Sequence, residues 1–226
     1  MSVPDRRVLL VHSPFVAPDC WEPVAVHLRQ KGLAVGLGDL SPVLSDPDFW
    51  ATAGAHIEGV AARSSAVVLH SGAGLLAPVI PAGPALVFVD ALLPRVGPDW
   101  WSTVPAALRT RLESLVVDDQ LPPWSRWWDE SVLAMLLPDA GAREHFDRGC
   151  PPIPMSLLRS PLPSATAWKS RPAGYLRLSG GYDDEMAIAG DLGMATELHD
   201  GSHLSLVTEG SAVGDGIIRL LDRLGG

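Results

Sequence analysis

A chain of 226 residues and 24.0 kDa, 47% hydrophobic and 19% charged, can bury one substantial core and is too short for two large domains. The net charge of −9 and a pI near 5.1, with basic residues scattered along the chain, argue against a nucleic-acid partner, because phosphate recognition needs clustered cations. No apolar run approaches the roughly 18 residues of a membrane-spanning helix, and the opening MSVPDRRVLLVHSP has too brief an apolar stretch for a signal-peptide core, so a soluble, cytoplasmic protein with no membrane partner is expected.

Six short apolar runs punctuate the chain, at residues 7–12 (RVLLVH), 33–38 (LAVGLG), 66–70 (AVVLH), 85–90 (ALVFVD), 174–179 (GYLRLS) and 195–200 (ATELHD). The first four are continuous rather than alternating, as expected of strands covered on both faces in a parallel sheet. Between them lie helical patterns: WEPVAVHLRQKG, which Gly32 can end, then DPDFWATAGAHIEGVAARS and GAGLLAPVIPA. Strands alternating with helices predict an α/β fold with a doubly wound, mostly parallel sheet.

The alternation breaks after FVDALLP. Residues 96–164 carry helical patterns, DWWSTVPAALRTRLESLVV and DESVLAMLLPDAGAREHF, separated by proline-rich stretches, and this predicts a helical cap inserted into a core of residues 1–95 and 165–226. Five of the eight tryptophans fall in the insertion, Trp100, Trp101, Trp124, Trp127 and Trp128. Either they pack the cap onto the core or they wall an apolar substrate pocket.

Cys20 and Cys150 are the only cysteines and form no CxxC pair, so neither a disulfide framework nor a zinc knuckle is signalled. His199 and His203 are four apart but fall on a strand and its loop, not on one helix face, so no metal site is expected. No phosphate-binding loop or dinucleotide fingerprint is present, and no cofactor is expected.

Ser71 stands immediately after an apolar strand and before a glycine-rich helix start, the context in which a strand-turn-helix elbow lifts a serine above a sheet. Gly72, Ala73 and Gly74 supply the small residues that such a strained turn needs. Near the C-terminus His203 lies in a loop between the last strand and a final amphipathic helix, where it is placed to act as a base.

These segments together resemble the α/β-hydrolase superfamily. VLLVHSPF and CWEPVAVHL are similar to its first strand, oxyanion loop and helix; VVLHSGAGL to its nucleophile elbow; ALVFVDALLP to the following strand; DGSHLSLVTEGSAVGDGI to its histidine loop and last helix. The resemblance covers about residues 6–95 and 172–226, and it implies a minimal member that lacks the usual first two strands, leaving about six.

The resemblance further implies a Ser-His-acid triad with Ser71 as nucleophile and His203 as base. For the acid it leaves two positions open. Asp183, in GYLRLSGGYDDE, is the carboxylate nearest the place most relatives use, though it can equally start the next helix; Asp90, directly after the strand that follows the nucleophile, is the place used by haloalkane dehalogenases. The oxyanion hole would draw one amide from Gly72 and one from the loop after His12, where the sequence reads Ser13-Pro14-Phe15. Pro14 has no N–H to donate, so Phe15 would have to substitute. Leu69 also departs from the family, which keeps glycine there.

The function expected is hydrolysis of a small apolar, uncharged ester, lactone or thioester. Non-hydrolytic biosynthetic chemistry on the same fold, such as epimerisation, cyclisation or elimination, and a ligand-binding role without turnover are the alternatives. A homodimer is left open by the sequence.

Overall fold

The computed structural model describes residues 6–225. In chain order its strands are β1 (Arg7–Val11), β2 (Ala34–Gly38), β3 (Ala66–His70) and β4 (Ala85–Val89), then β5 (Gln120–Leu121) and β6 (Ile153–Pro154), and finally β7 (Ala173–Arg177) and β8 (Ala195–Leu198). The helices of the first half are α1 (Glu22–Gln30), α2 (Phe49–Ala61), α3 (Trp100–Thr103) and α4 (Ala106–Glu113). Those of the second half are α5 (Glu130–Leu136), α6 (Ala140–Gly149), α7 (Met155–Leu158), α8 (Asp183–Asp191), α9 (Ser205–Thr208) and α10 (Gly210–Leu224).

Six strands form one parallel sheet in the order β2-β1-β3-β4-β7-β8, while β5 and β6 make a small antiparallel pair. Residues pointing to opposite faces feed two separate apolar clusters. Leu9, Val11, Val67, Leu69, Leu86 and Phe88 pack with α2 and with the segment between β4 and β7; Val8, Leu10, Val68, Val87, Val89 and Leu176 pack with α1 and α10. This doubly wound arrangement explains why β1, β3 and β4 read as continuous apolar runs. The run at residues 33–38 differs: β2 is an edge strand, and Ala34 to Leu37 are only partly buried.

Gly32 ends α1 with φ at +88°, a left-handed position that costs a glycine little. The predicted helix GAGLLAPVIPA is instead a 3-10 helix, Ser71–Val79, with Pro78 inside it. Proline removes a backbone donor and crowds the preceding turn, so a full α-helix cannot propagate there.

Between β4 and β7 the chain runs through α3 to α7 and the β5/β6 pair. Each of the two long helical patterns of this region is split. Val104 and Pro105 separate α3 from α4, and Leu137, Pro138 and Asp139 separate α5 from α6, because the residue before a proline is pushed out of the helical region. Asp99 caps the start of α3 and Asp139 that of α6, accepting from the Ser102 and Ala142 amides at 2.6 and 2.7 Å.

Candidate active site

The site lies at the carboxyl ends of the central strands. Ser71 follows β3 with φ at +55°, and Asp90 follows the adjacent β4 with φ at +43°. Two non-glycine residues in the left-handed region, side by side, are a store of backbone strain that the surrounding fold must hold. Part of the hold is visible: the Leu92 amide donates to the Ser71 carbonyl at 3.0 Å. The two turns approach so closely that a Cβ on Gly74 would lie 2.0 Å from the Leu92 carbonyl oxygen, which only glycine allows.

The Asp90 carboxylate is fully buried, and four donors converge on it. Oδ1 accepts from the Leu178 and Ser179 amides at 2.7 and 3.0 Å; Oδ2 accepts from Ser179 Oγ at 2.6 Å and from His203 Nδ1 at 2.8 Å. Burial alone would raise its pKa, but the bonds from His203, Ser179 and Leu178 outweigh burial and hold it below the ordinary carboxylate value. Because an ionised carboxylate only accepts, His203 carries its proton on Nδ1 and leaves the Nε2 lone pair free.

Asp183 goes elsewhere. It stands in the first turn of α8, largely exposed, and its Oδ1 accepts from Arg177 Nε at 2.7 Å. There a carboxylate complements the helix dipole and pairs with the half-buried Arg177, and His203 bonds to Asp90 instead.

His203 is sandwiched between two rings. His70 stacks on it with centroids 4.6 Å apart and Tyr182 with centroids 5.0 Å apart and planes 5° from parallel. His70 is buried and its Nε2 bonds the His203 carbonyl at 3.2 Å. Burial, then the neighbouring His203, push the His70 pKa down to about 3, so this ring stays neutral. The hydroxyl of Ser71 bonds Tyr182 Oη at 3.4 Å, and among the described residues that is its side-chain partner.

The loop after β1 covers Gly72. A Cβ there would sit 3.4 Å from Ser13 Oγ, 3.5 Å from Pro14 Cδ and 3.7 Å from the Phe15 ring, so loop and elbow are in contact. The Phe15 amide donates back to Ser13 Oγ at 3.4 Å. His12 fixes the loop from below: it is buried, its Nδ1 donates to the Ser13 carbonyl at 2.8 Å, and its Nε2 accepts from the Leu40 amide at 2.9 Å. Leu69, where the family keeps glycine, is fully buried in the core beneath the elbow.

A cavity of about 590 Å³ opens above Ser71, Gly72, Tyr182 and His203. Trp100, Trp124, Trp127 and Trp128 wall it; Trp101 packs against the core and does not line it. Phe15 meets Trp100 and Trp127 at 5.2 Å, and Trp124 stands 6.1 Å from the His203 ring. The wall also carries charge, since Arg95 pairs with the buried Glu185, whose second oxygen accepts from the Leu93 amide at 3.1 Å.

The two cysteines are buried; burial raises the Cys20 thiol well above its ordinary value and pushes Cys150 up to about 12, so neither is poised as a nucleophile. His199 pairs with Glu209 at 3.1 Å, away from the Asp90 partner of His203. Among the described residues no group of three or more His, Cys, Asp or Glu side chains could hold a metal, and no helix is long and apolar enough to cross a membrane.

Sequence reasoning missed Tyr182, Ser179, Arg95 and Glu185. One signal was available for Tyr182: an aromatic placed just after a glycine pair, at the carboxyl end of a strand neighbouring the nucleophile strand.

No protein-family model matches the sequence, and no curated protein matches it. Solved structures do. An extracellular α/β-hydrolase from a Paenibacillus species, described as sharing structural and functional homology with tobacco Salicylic Acid Binding Protein 2, is 16% identical with a TM-score of 0.74, over 95% of this chain and 98% of that one. Tomato methylketone synthase I, in a variant complexed with β-ketoheptanoate, is 15% identical with a TM-score of 0.69, over 98% and 100%. A pyrethroid hydrolase from Sphingobium faniae is 18% identical with a TM-score of 0.66, over 96% and 97%. With this six-stranded parallel sheet, its flanking helices and near-complete coverage of all three, the chain has the fold of the α/β-hydrolase superfamily.

Proposed function

We propose that the protein is a serine hydrolase in which Ser71, His203 and Asp90 form the triad, acting on an apolar, uncharged ester, lactone or thioester. One observation carries the reading: a serine on a strained turn and a histidine bonded to a buried aspartate face the same tryptophan-walled cavity. The Ser71 hydroxyl turns about its χ1 bond from Tyr182 toward the free Nε2 of His203, which takes its proton as Oγ attacks the carbonyl carbon. Asp90 holds the ring and stabilises the imidazolium, and the Gly72 amide receives the developing oxyanion. His203 then protonates the leaving group. Water, activated by the same Nε2, releases the acyl group. Asp90 rather than Asp183 takes the acid's role because it alone of the two bonds His203.

The test is intact-mass detection of labelling by a fluorophosphonate probe in wild type, Ser71→Ala and His203→Ala. Stoichiometric labelling of the wild type, lost in both variants, is expected. A folded wild type that takes up no label, or a Ser71→Ala protein that keeps full activity on its best substrate, refutes the reading.

A second reading, non-hydrolytic chemistry, is favoured by the oxyanion loop, where Pro14 has no N–H and the Phe15 amide is turned to Ser13. A weakened hole penalises acyl transfer more than proton transfer. The methylketone synthase among the structural neighbours is consistent with it, as the pyrethroid hydrolase is with ester cleavage. Turnover that persists in Ser71→Ala but not in His203→Ala distinguishes it. Cytoplasmic residence belongs to this proposal too, and fractionation of the source cells checks it.

A further inference from the structure

Tyr182 stands on the turn between β7 and α8, next to Asp183, which turns to Arg177, while Asp90 bonds His203 from the neighbouring strand. Its hydroxyl is 3.4 Å from Ser71 Oγ and its ring lies flat against His203. Both contacts fix it at the floor of the cavity, and its amide, donating to the Ser179 carbonyl at 3.1 Å, ties it to the residue that also anchors Asp90.

We infer that the Tyr182 hydroxyl is a catalytic hydrogen-bond donor to the substrate's reacting oxygen on Ser71, replacing the amide donor that Pro14 cannot provide. This rests on the serine-hydrolase reading above. An oxygen on the carbon that bonds Ser71 Oγ stands two bonds from Oγ, so a hydroxyl 3.4 Å from Oγ is within reach of that oxygen, which an effective oxyanion donor approaches to roughly 2.7–3.1 Å.

The chemistry of the donor fits. Burial raises the Tyr182 pKa, so the phenol stays protonated at neutral pH. With no backbone N–H at Pro14 and the Phe15 amide engaged by Ser13 Oγ, the Gly72 amide is otherwise left with one side of the developing charge uncovered. The tyrosine keeps its proton throughout. Its hydrogen bond strengthens as negative charge grows on the substrate oxygen and weakens again when the intermediate collapses and the leaving group departs with the proton from His203.

The experiment compares wild type, Ser71→Ala, Tyr182→Phe and Tyr182→Leu, with fluorophosphonate labelling and with steady-state hydrolysis of a short-chain p-nitrophenyl ester. Tyr182→Phe keeps the stacked ring and loses only the hydroxyl. Its kcat is expected to fall by about 10²-fold with KM within about threefold of wild type, the size of loss typical for one oxyanion donor. Tyr182→Leu, which also removes the ring, should be no better than Tyr182→Phe. If Tyr182→Phe turns over within about twofold of wild type while Tyr182→Leu is impaired, the ring only positions His203 and the inference falls alone. If the wild type is neither labelled nor active above Ser71→Ala, the serine-hydrolase reading falls and the donor role falls with it. A thermal melt of each variant accompanies the kinetics, and Tyr182→Phe is expected to melt within a few degrees of wild type.

Discussion

The imidazoles of His70 and His203 stack 4.6 Å apart, and the His70 ring is held neutral by its burial. His70 is enclosed, and its pKa falls from the ordinary 6.5 to about 3, while His12, also buried, is lowered in the same direction. The unfolded chain therefore binds protons that the folded chain refuses, and stability is complete above about pH 6.5 and declines as pH falls toward 3. Urea denaturation at pH 7.5 and 4.5 is expected to show this loss. A His70→Phe variant, which keeps a flat ring and cannot titrate, should reduce the slope by up to about 1.4 kcal/mol per pH unit. Equal slopes in the two proteins would show that His70 is protonated in the fold.

Asp90→Asn should remove most activity and Asp183→Asn almost none. The amide of asparagine can no longer accept in ionised form from His203 Nδ1, so the ring loses both its tautomer and its counter-charge, a loss of about 10⁴-fold in kcat where such triads have been dissected. Asp183 is exposed and bonds Arg177, not His203, so its neutralisation is expected to leave kcat/KM within about twofold. Ester hydrolysis by the two purified variants separates the roles.

Gly74→Ala tests the contact between the two strained turns. Its Cβ would meet the Leu92 carbonyl at 2.0 Å, a backbone atom that cannot swing aside. Overpacking of this kind costs about 1–3 kcal/mol or more, and here it also presses apart the segments that carry Ser71 and Asp90. Both the urea midpoint and the extent of fluorophosphonate labelling should fall; an unchanged midpoint would mean that the turn relaxes freely.

Trp124 and Trp101 offer a matched pair in the segment between β4 and β7. Trp124 lines the cavity near His203, whereas Trp101 packs on the core. Trp124→Ala is expected to change KM by about tenfold, the worth of a few apolar contacts, and to admit longer acyl chains. Trp101→Ala should lower the melting temperature and leave the ranking of substrates as it was. A series of p-nitrophenyl esters of increasing chain length reads both effects.

The sheet was legible because its inner strands are covered on both faces, and continuous apolar runs such as AVVLH and ALVFVD have few other uses in a chain of this composition. That Ser71 and His203 lie beside one cavity was legible because each sits at a junction of two periodicities, strand to helix or strand to loop. The choice between Asp90 and Asp183 was not, since it depends on which carboxylate three separate segments enclose, and residues 90, 179 and 203 meet only in the folded chain. Prolines 105 and 138 did announce breaks, but apolar spacing on either side of each reads as one helix unless the pre-proline restriction is given more weight than periodicity. Tyr182 and His70 escaped because an aromatic beside a turn looks the same in sequence whether it faces solvent or another ring.

The hydrogen bond from the Leu92 amide to the Ser71 carbonyl, and the absence of room at Gly74, have a mechanical outcome. Ser71 and Asp90 are carried on one welded joint of the central sheet, while His203 hangs from a separate span between β8 and α9 that meets the joint through Asp90 and the ring sandwich. Wear in such a device begins at the hanging part. Mild heat or denaturant should detach His203 and silence the protein while the sheet, and most of its spectroscopic signal, is still intact.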